Sequence, residues 1–301
     1  MKILLFGCNG QVGWELQRSL SVLGEVVALH SDSTDLCADF SRPEALMQTV
    51  RAVRPDVIVN AAAHTAVDKA ESEPALAHTI NAEAPGVLAS EAAAMNAWLV
   101  HYSTDYVFDG SGERPWKEDD PTGPLSVYGR TKLDGEQRVR ASGCRHLILR
   151  TSWVYSARGG NFARTMLKLA AEREQLSVVA DQVGAPTGAD LLADVTAHAL
   201  RSALKAPHLA GTYHAVAAGE ATWHDYAQVV IEWARAHGLP VRTSADRIIP
   251  VPSTAYPTAA RRPLNSRLDT QRLLHTFGLT MPHWRPGVLR MLAEIHTVRR
   301  T

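Results

Sequence analysis

The first stretch of the chain constrains the fold most. The apolar run Ile3-Leu4-Leu5-Phe6 leads directly into Gly7-Cys8-Asn9-Gly10-Gln11-Val12-Gly13, and from Trp14 to Leu23 apolar residues recur at helical spacing. A short continuous apolar run suits a strand buried on both faces of a parallel sheet. Strand, glycine turn and helix in immediate succession form a βα unit whose turn can cradle a pyrophosphate. One glycine makes the tight turn, a second lets phosphate approach the backbone, and a third lets the helix pack on the strand. The helix N-terminus adds N–H groups and partial positive charge. The pattern is GxxGxxG where the common fingerprint is GxGxxG, so the dinucleotide reading leans on the units that follow.

Those units alternate. Glu25 to Leu29 reads as a strand, Pro43 to Val53 as a helix, and Val57 to Val59 as a strand opening into Asn60-Ala61-Ala62-Ala63-His64, small enough for a cofactor to lie against the backbone. Pro74 to Met95 is helical with Asn81 inside it, and Ala97 to Tyr102 is a strand ending in Ser103-Thr104-Asp105. Leu147 to Leu149, Leu176 to Val179 and the helices Asn161 to Arg173 and Ala189 to Leu204 continue the pattern. This is the signature of an α/β chain with a Rossmann-type doubly wound parallel sheet. Beyond it lie a strand at Thr212 to Val216, a helix at Trp223 to Gly238, a strand at Arg247 to Val251, a Pro/Arg-rich segment at Pro252 to Arg267, and helices at Asp269 to Phe277 and Pro286 to Thr297. A chain of 301 residues exceeds one typical core. We expect a dinucleotide-binding domain over 1–150, with returning elements at about 175–205, and a smaller interleaved α/β substrate-binding lobe over 151–301.

Ligands of such sheets sit outside the carboxyl ends of the strands, which puts Gly10, Ala63 and Thr104 on one rim. Tyr128 and Lys132, four residues apart near a helix start, share a face. A phenol is a poor acid or base at neutral pH, and an adjacent ammonium favours the phenolate. A hydroxyl beside such a pair is what carbonyl reduction requires: one group on the substrate oxygen, one proton donor, and a cation to bias the proton. The hydride must come from a nicotinamide.

Charge narrows the partners. With 31 basic and 31 acidic residues, no electrostatic attraction to nucleic acid or a membrane is expected. Cys8, Cys37 and Cys144 are an odd number without metal-ligand spacing, which fits a reduced cytoplasmic setting. The apolar N-terminal run breaks at Gly7, too short for a secretory segment, and no later run approaches a membrane span.

Seven motifs in order carry a resemblance over essentially the whole chain: Gly7 to Leu16, Val59 to Glu71, Ser103 to Phe108, Tyr128-Gly129-Arg130-Thr131-Lys132, Arg150 to Tyr155, Asp181 to Thr187, and Arg262 to Leu268. The chain resembles the extended short-chain dehydrogenase/reductase family, and within it the branch acting on dTDP-4-dehydrorhamnose. The resemblance implies reduction of the 4-keto group of dTDP-4-dehydro-L-rhamnose to dTDP-L-rhamnose by NADPH or NADH, in nucleotide-sugar and cell-surface polysaccharide biosynthesis. It makes Tyr128 the proton donor, Lys132 its electrostatic partner and ribose ligand, and Thr104 the hydroxyl on the substrate oxygen. It assigns the cofactor to Gly7, Gly10, Gln11, Val12, Gly13, His30, Asp39, Phe40, Ala62, Ala63, Thr65 and Tyr102 besides Tyr128 and Lys132. It assigns the sugar nucleotide to Asp105, Trp153, Asn161, Phe162 and Gln182, with Arg262 on the pyrophosphate. On residue type alone Asp105 also suits a loop or helix cap, Trp153 suits packing, and Asp39-Phe40 suits a cap followed by a core ring.

An acid at the end of the second strand would bind the ribose 2′-hydroxyl and disfavour a 2′-phosphate. This chain has His30-Ser31 there, its nearest acids being Asp32 and Asp35, so NADPH is expected to be preferred and NADH accepted. Some relatives form homodimers bridged by Mg²⁺ through surface carboxylates. Glu15, Asp190 and Glu294 are the corresponding candidates, although isolated acids are ordinarily solvated surface. Two other functions share the scaffold: a non-catalytic regulatory subunit, against which intact Thr104, Tyr128 and Lys132 argue, and a nucleotide-sugar epimerase or dehydratase that keeps its cofactor through oxidation and re-reduction.

Overall fold

Six parallel strands form the central sheet of the computed structural model, which describes residues 1–298. They are β1 (Lys2–Phe6), β2 (Glu25–Leu29), β3 (Val57–Asn60), β4 (Trp98–Thr104), β5 (Arg145–Thr151) and β6 (Gly211–His214), ordered β2-β1-β3-β4-β5-β6. The chain order reverses between β1 and β3, and in open α/β sheets a crevice forms at such a switch point.

Strand alternation sorts the apolar residues between two cores, as period 2 demands. Ile3, Leu5, Val57 and Val59 meet Leu16 and Leu20 of α1 (Gln11–Ser21) and Leu192 and Ala199 of the helix Ala189–Lys205. Leu4, Phe6 and Ile58 face the opposite layer, against Leu46 and Val50 of the helix Pro43–Val53 and Leu88 of the helix Ala84–Ala94. Both faces of the sheet are thus covered, which is why its strands read as unbroken apolar runs.

A third core lies outside the sheet. It is built from the helices Phe162–Glu172, Trp223–Ala236 and Trp284–Val298 around Leu167, Tyr226, Val230, Trp284 and Leu292. The two parts interleave, with one correction to the expected return. Leu176–Val179 pairs with Ile248–Val251 in a separate two-stranded sheet. The elements that rejoin the central sheet are the helix Ala189–Lys205 and β6. An apolar run announces a strand but not its neighbours, since pairing is decided by tertiary packing.

The long helix expected over Pro74 to Met95 is present with an interruption at Asn81. Helix Pro74–His78 passes through a π-helical turn, Thr79–Glu83, into Ala84–Ala94. Asn81 accepts the His64 N–H (2.9 Å) and donates to the His64 carbonyl (3.1 Å). It therefore holds the loop after β3 against the helix.

Candidate active site

A cleft of about 610 Å³ runs along the carboxyl ends of β1, β3, β4 and β5. At its inner end stands the glycine turn. Gly7 has φ +78°, and a Cβ there would lie 2.8 Å from both Ala61 C and Ala62 N. Only glycine lets the turns after β1 and β3 meet. A Cβ on Gly13 would lie 2.0 Å from the Gly7 carbonyl oxygen, so Gly13 serves helix–strand packing and does not line the cleft. No side chain caps α1 at Gly10, leaving its first N–H groups for an anionic ligand. Gln11, Val12, Ala62, Ala63 and Thr65 line the same wall.

Asp39 and Phe40 also border the cleft; Phe40 is a core ring as its type suggests, whereas Asp39 closes a turn and is not the cap of the helix Pro43–Val53, whose N-cap Arg42 carries no side-chain cap. Asp39 accepts from the Ser41 N–H and hydroxyl (2.9 and 2.7 Å), and Phe40 packs edge-on against Phe6 at 5.5 Å. At the end of β2, Ser31 faces the cleft. His30 does not line it, its Nδ1 accepting the Asp32 N–H at 3.2 Å. The residues present fit a dinucleotide: a glycine cradle, an uncapped helix N-terminus, a small-residue wall, and no acid at the tip of β2.

Farther out the catalytic candidates converge. Thr104 ends β4; its hydroxyl accepts the Tyr106 N–H (3.1 Å) and donates to Asp105 Oδ1 (3.0 Å). The helix Val127–Ala141, capped by Ser126, delivers Tyr128 beside it. Gly129 permits the approach, because a Cβ there would lie 2.3 Å from the Tyr106 carbonyl oxygen. Thr104 and Tyr128 both line the cleft. Burial pushes the phenol up to about 12; the Thr104 hydroxyl pulls it down and Asp105 pushes it further up.

Lys132 is 2% exposed, and its Nζ donates to the Tyr102 carbonyl at 2.5 Å. Desolvation lowers its pKa to about 8, with Glu136 opposing. Desolvation is the largest cause acting on Tyr128 and raises it, opposite in direction to the lowering expected from the lysine. A phenol held protonated suits an acid rather than a base. Beneath the helix, Glu136 accepts two bonds from Arg150, from Nε at 2.8 Å and Nη2 at 2.7 Å, in full burial.

The substrate candidates divide. Asp105 is 2% exposed and, like Trp153, lines the cleft. Trp153 adopts φ +47° and stacks on Trp223 with centroids 3.6 Å apart. Gly184 leaves room for the indole, since a Cβ there would lie 2.9 Å from Trp153 Cε2. Asn161, Phe162 and Gln182 stand behind this wall. Asn161 caps the helix Phe162–Glu172 and donates to the Ser156 carbonyl and to Gln11 Oε1 (2.7 and 3.3 Å). Phe162 packs on Trp223 and Tyr226, and Gln182 Oε1 accepts the Trp223 indole N–H at 3.1 Å. Arg262 is engaged by Asp68 through two bonds of 2.7 and 3.1 Å, with the Ala260 N–H on the same carboxylate at 3.0 Å.

Glu15, Asp190 and Glu294 are near enough for the other two to raise Glu15, after desolvation, the larger cause. They form no metal-binding group among the described residues, and Asp190 pairs with Arg290 at 3.1 Å. Two site residues escaped the sequence reading. Trp223 gives no signal beyond a helix start, and the clamp by Asn81 is hinted at only by a polar residue inside an apolar helix. Val67 and Tyr106 also border the cleft, within motifs already singled out.

Comparisons agree with this geometry. The family model described as RmlD substrate binding domain matches residues 1–297. A dTDP-4-dehydrorhamnose reductase of Escherichia coli (strain K12) is 58% identical over 297 residues, covering 99% of both chains. Another from Burkholderia thailandensis is 50% identical over 96% of this chain and 97% of its own. Among solved structures, a dTDP-4-dehydrorhamnose reductase from Bacillus anthracis in complex with NADP superposes with a TM-score of 0.86 at 33% identity, covering 97% of this chain and 99% of that one. Glycine cradle, Thr104–Tyr128 pair and whole-length similarity coincide, and the chain belongs to the dTDP-4-dehydrorhamnose reductase family.

Proposed function

We infer that this chain reduces the 4-keto group of dTDP-4-dehydro-L-rhamnose to give dTDP-L-rhamnose, with NADPH as reductant. One observation carries the chemistry: Thr104, the Tyr128 phenol and Lys132 line the same cleft as the uncapped glycine turn. When bound, the nicotinamide supplies the hydride for the carbonyl carbon. Tyr128 gives the developing alkoxide its proton, and the Thr104 hydroxyl holds the substrate oxygen. Lys132, anchored on the Tyr102 carbonyl, is placed for the ribose and brings positive charge to the polar end of the cleft. Trp153, backed by Trp223, forms the wall against the sugar.

The test is net oxidation of added NADPH by dTDP-4-dehydrorhamnose, run beside UDP-linked 4-keto sugars. Absence of turnover rejects the reductase reading, and turnover without net NADPH loss indicates an epimerase or dehydratase. NADPH is preferred over NADH because His30 and Ser31, and no acid, directly follow β2; equal or higher kcat/KM with NADH would sink that preference. The lobe over 151–301, less the elements that rejoin the sheet, is the substrate-binding part. The reading extends to a cytoplasmic homodimer. The acids Glu15, Asp190 and Glu294 leave Mg²⁺ only a bridging role between two copies, and chelation with EDTA that leaves the oligomer unchanged excludes it.

A further inference from the structure

Among the described residues, three that are not glycine take positive φ: Arg54, Asn96 and Trp153. Arg54 and Asn96 follow the helices Pro43–Val53 and Ala84–Ala94, and helix ends commonly take this conformation. Trp153 ends no helix. A bulky residue at φ +47° is strained, and such strain persists only where the surroundings over-determine it. Trp153 stands at the corner where the chain leaves the central sheet for the second lobe. On one side, β5 stays in register with β4 as far as Thr151, opposite Thr104. On the other, Val154 pairs with Thr187, whose N–H donates to the Trp153 carbonyl at 3.2 Å. Both flanks of the corner are fixed, and the strained residue between them borders the cleft.

The indole is held as closely as the backbone. Trp223 stacks on it with centroids 3.6 Å apart and 14° between the planes. The segment Gln182-Val183-Gly184 serves both rings. Gln182 Oε1 accepts the Trp223 indole N–H at 3.1 Å, and a Cβ on Gly184 would lie 2.9 Å from Trp153 Cε2 and 3.1 Å from Cζ2. Val183 and Gly184 pair in turn with Thr222 and Ala221, which joins the strand that makes room for Trp153 to the residue before Trp223. A capping box between Thr222 and Asp225 sets the first turn of the helix Trp223–Ala236, and Phe162 packs on Trp223 at 4.7 Å. Trp153 and Trp223 line the same cleft as Thr104 and Tyr128.

We propose that Trp223 is a positioning residue for the sugar: with Gln182 and Gly184 it holds Trp153 in its strained corner, and the indole is the platform on which the hexose ring of the substrate lies. This rests on the carbonyl-reduction reading above. The face of an indole is apolar and carries the negative side of the ring quadrupole, so it matches the C–H face of a sugar. The polar edge of the sugar is then left to Thr104 and Asp105. A platform free to swing would hold the sugar in several orientations, only some of which bring its carbonyl to Tyr128. The platform acts on the hexose and not on the cofactor, whose cradle is the glycine turn.

The experiment compares native protein with Trp223→Leu in steady-state kinetics, with dTDP-4-dehydrorhamnose varied at saturating NADPH and dTDP as a competitive inhibitor. Loss of one aromatic pair should raise KM about threefold to tenfold, with kcat changed less and with the Ki of dTDP and the Kd of NADPH native. Near-ultraviolet circular dichroism reads the stack without turnover: the band of the coupled indoles should disappear from Trp223→Leu and from Trp153→Gly. Trp153→Gly should itself raise KM, and adding Trp223→Leu to it should raise KM no further, because Trp223 acts through the indole. Glycine takes positive φ without strain, so Trp153→Gly should melt above Trp153→Ala, the reverse of their usual order. A native KM in folded Trp223→Leu overturns the proposal, as does an equal rise in the Ki of dTDP or a full further rise in the Trp153→Gly background. Trp153→Ala melting above Trp153→Gly overturns it too, since the corner is then unstrained. If Trp223→Leu does not fold, Gln182→Leu takes its place, and a native KM there overturns the proposal equally. Native protein that does not oxidise NADPH removes the functional reading and the platform with it, whereas active enzyme with an unmoved KM removes the platform alone.

Discussion

Tyr128 keeps its proton because the protein around it desolvates the phenolate more than any neighbour stabilises it. Replacing its hydroxyl removes the proton donor and little else. Tyr128→Phe should lower kcat by roughly 10²–10⁴-fold, with far-UV circular dichroism and Tm close to native. The pairing of Tyr128 with Lys132, and of both with Thr104, was legible from spacing and from the strand that precedes Thr104. The sign of the phenol shift was not, because desolvation depends on which atoms of other elements surround the group. Arg262 illustrates the same gap: its type suits phosphate, but only the folded chain sets Asp68 against it. At Glu136 the partner is fully buried Arg150, and removing one member of such a pair costs about 3–5 kcal/mol. Glu136 is held below the ordinary carboxylate range, burial opposing and the Arg150 bonds prevailing. Its folded pKa is depressed, so its stabilisation is present above the unfolded value near 4.3 and is lost as pH falls through the folded value. Urea melts of Glu136→Gln at neutral pH should show the full loss. At acid pH, below that window, the difference from native should shrink.

At the scale of elements, the strand–glycine turn–helix unit was readable because three constraints coincide within a few residues: two-faced burial of β1, positive φ at Gly7, and helix contact at Gly13. A methyl at Gly13 would meet only backbone, at 2.0 Å from Gly7 O, 2.7 Å from Gly7 C and 2.9 Å from Cys8 Cα. None of these atoms can rotate away. Gly13→Ala should therefore push α1 off the turn, lower Tm by the equivalent of about 1–3 kcal/mol, and weaken NADPH binding measured by fluorescence titration. The turn at Asn81 was not readable, since a π-helical insertion shifts the apolar period by a single residue. It is matched across the interface by Gly135, where a Cβ would lie 2.1 Å from the Asn81 carbonyl oxygen. The two-residue strands of the second lobe and the true partner of Leu176–Val179 were hidden for a related reason. Such short pairings are chosen by what packs nearby, not by their own periodicity.

Among the polar links between the sheet and the second lobe, two lie at opposite ends of the cleft. At the glycine turn, Gln11 Oε1 accepts from Asn161 Nδ2 and from the Ser156 hydroxyl, each at 3.3 Å. At the outer end, Asp68 holds both Arg262 and the Ala260 N–H, fastening the Pro/Arg-rich segment beside Val67 and Tyr106 of the cleft wall. The second link lies by the substrate candidates and away from the glycine cradle, so the two ends can be perturbed separately. The Asp68 side chain is 46% exposed and that of Arg262 24%, which limits the pair to about 1 kcal/mol. A loss of that size corresponds to roughly a fivefold change in an equilibrium. In Asp68→Asn, KM for dTDP-4-dehydrorhamnose should rise severalfold while the Kd for NADPH, measured without substrate, stays native. The segment from 252 to 267 should also become more susceptible to limited proteolysis, since the carboxylate that holds its backbone at Ala260 and its side chain at Arg262 is gone. A parallel rise in NADPH Kd would mean that the outer link supports both lobes as one unit, and an unchanged KM would mean that the segment keeps its place without Asp68.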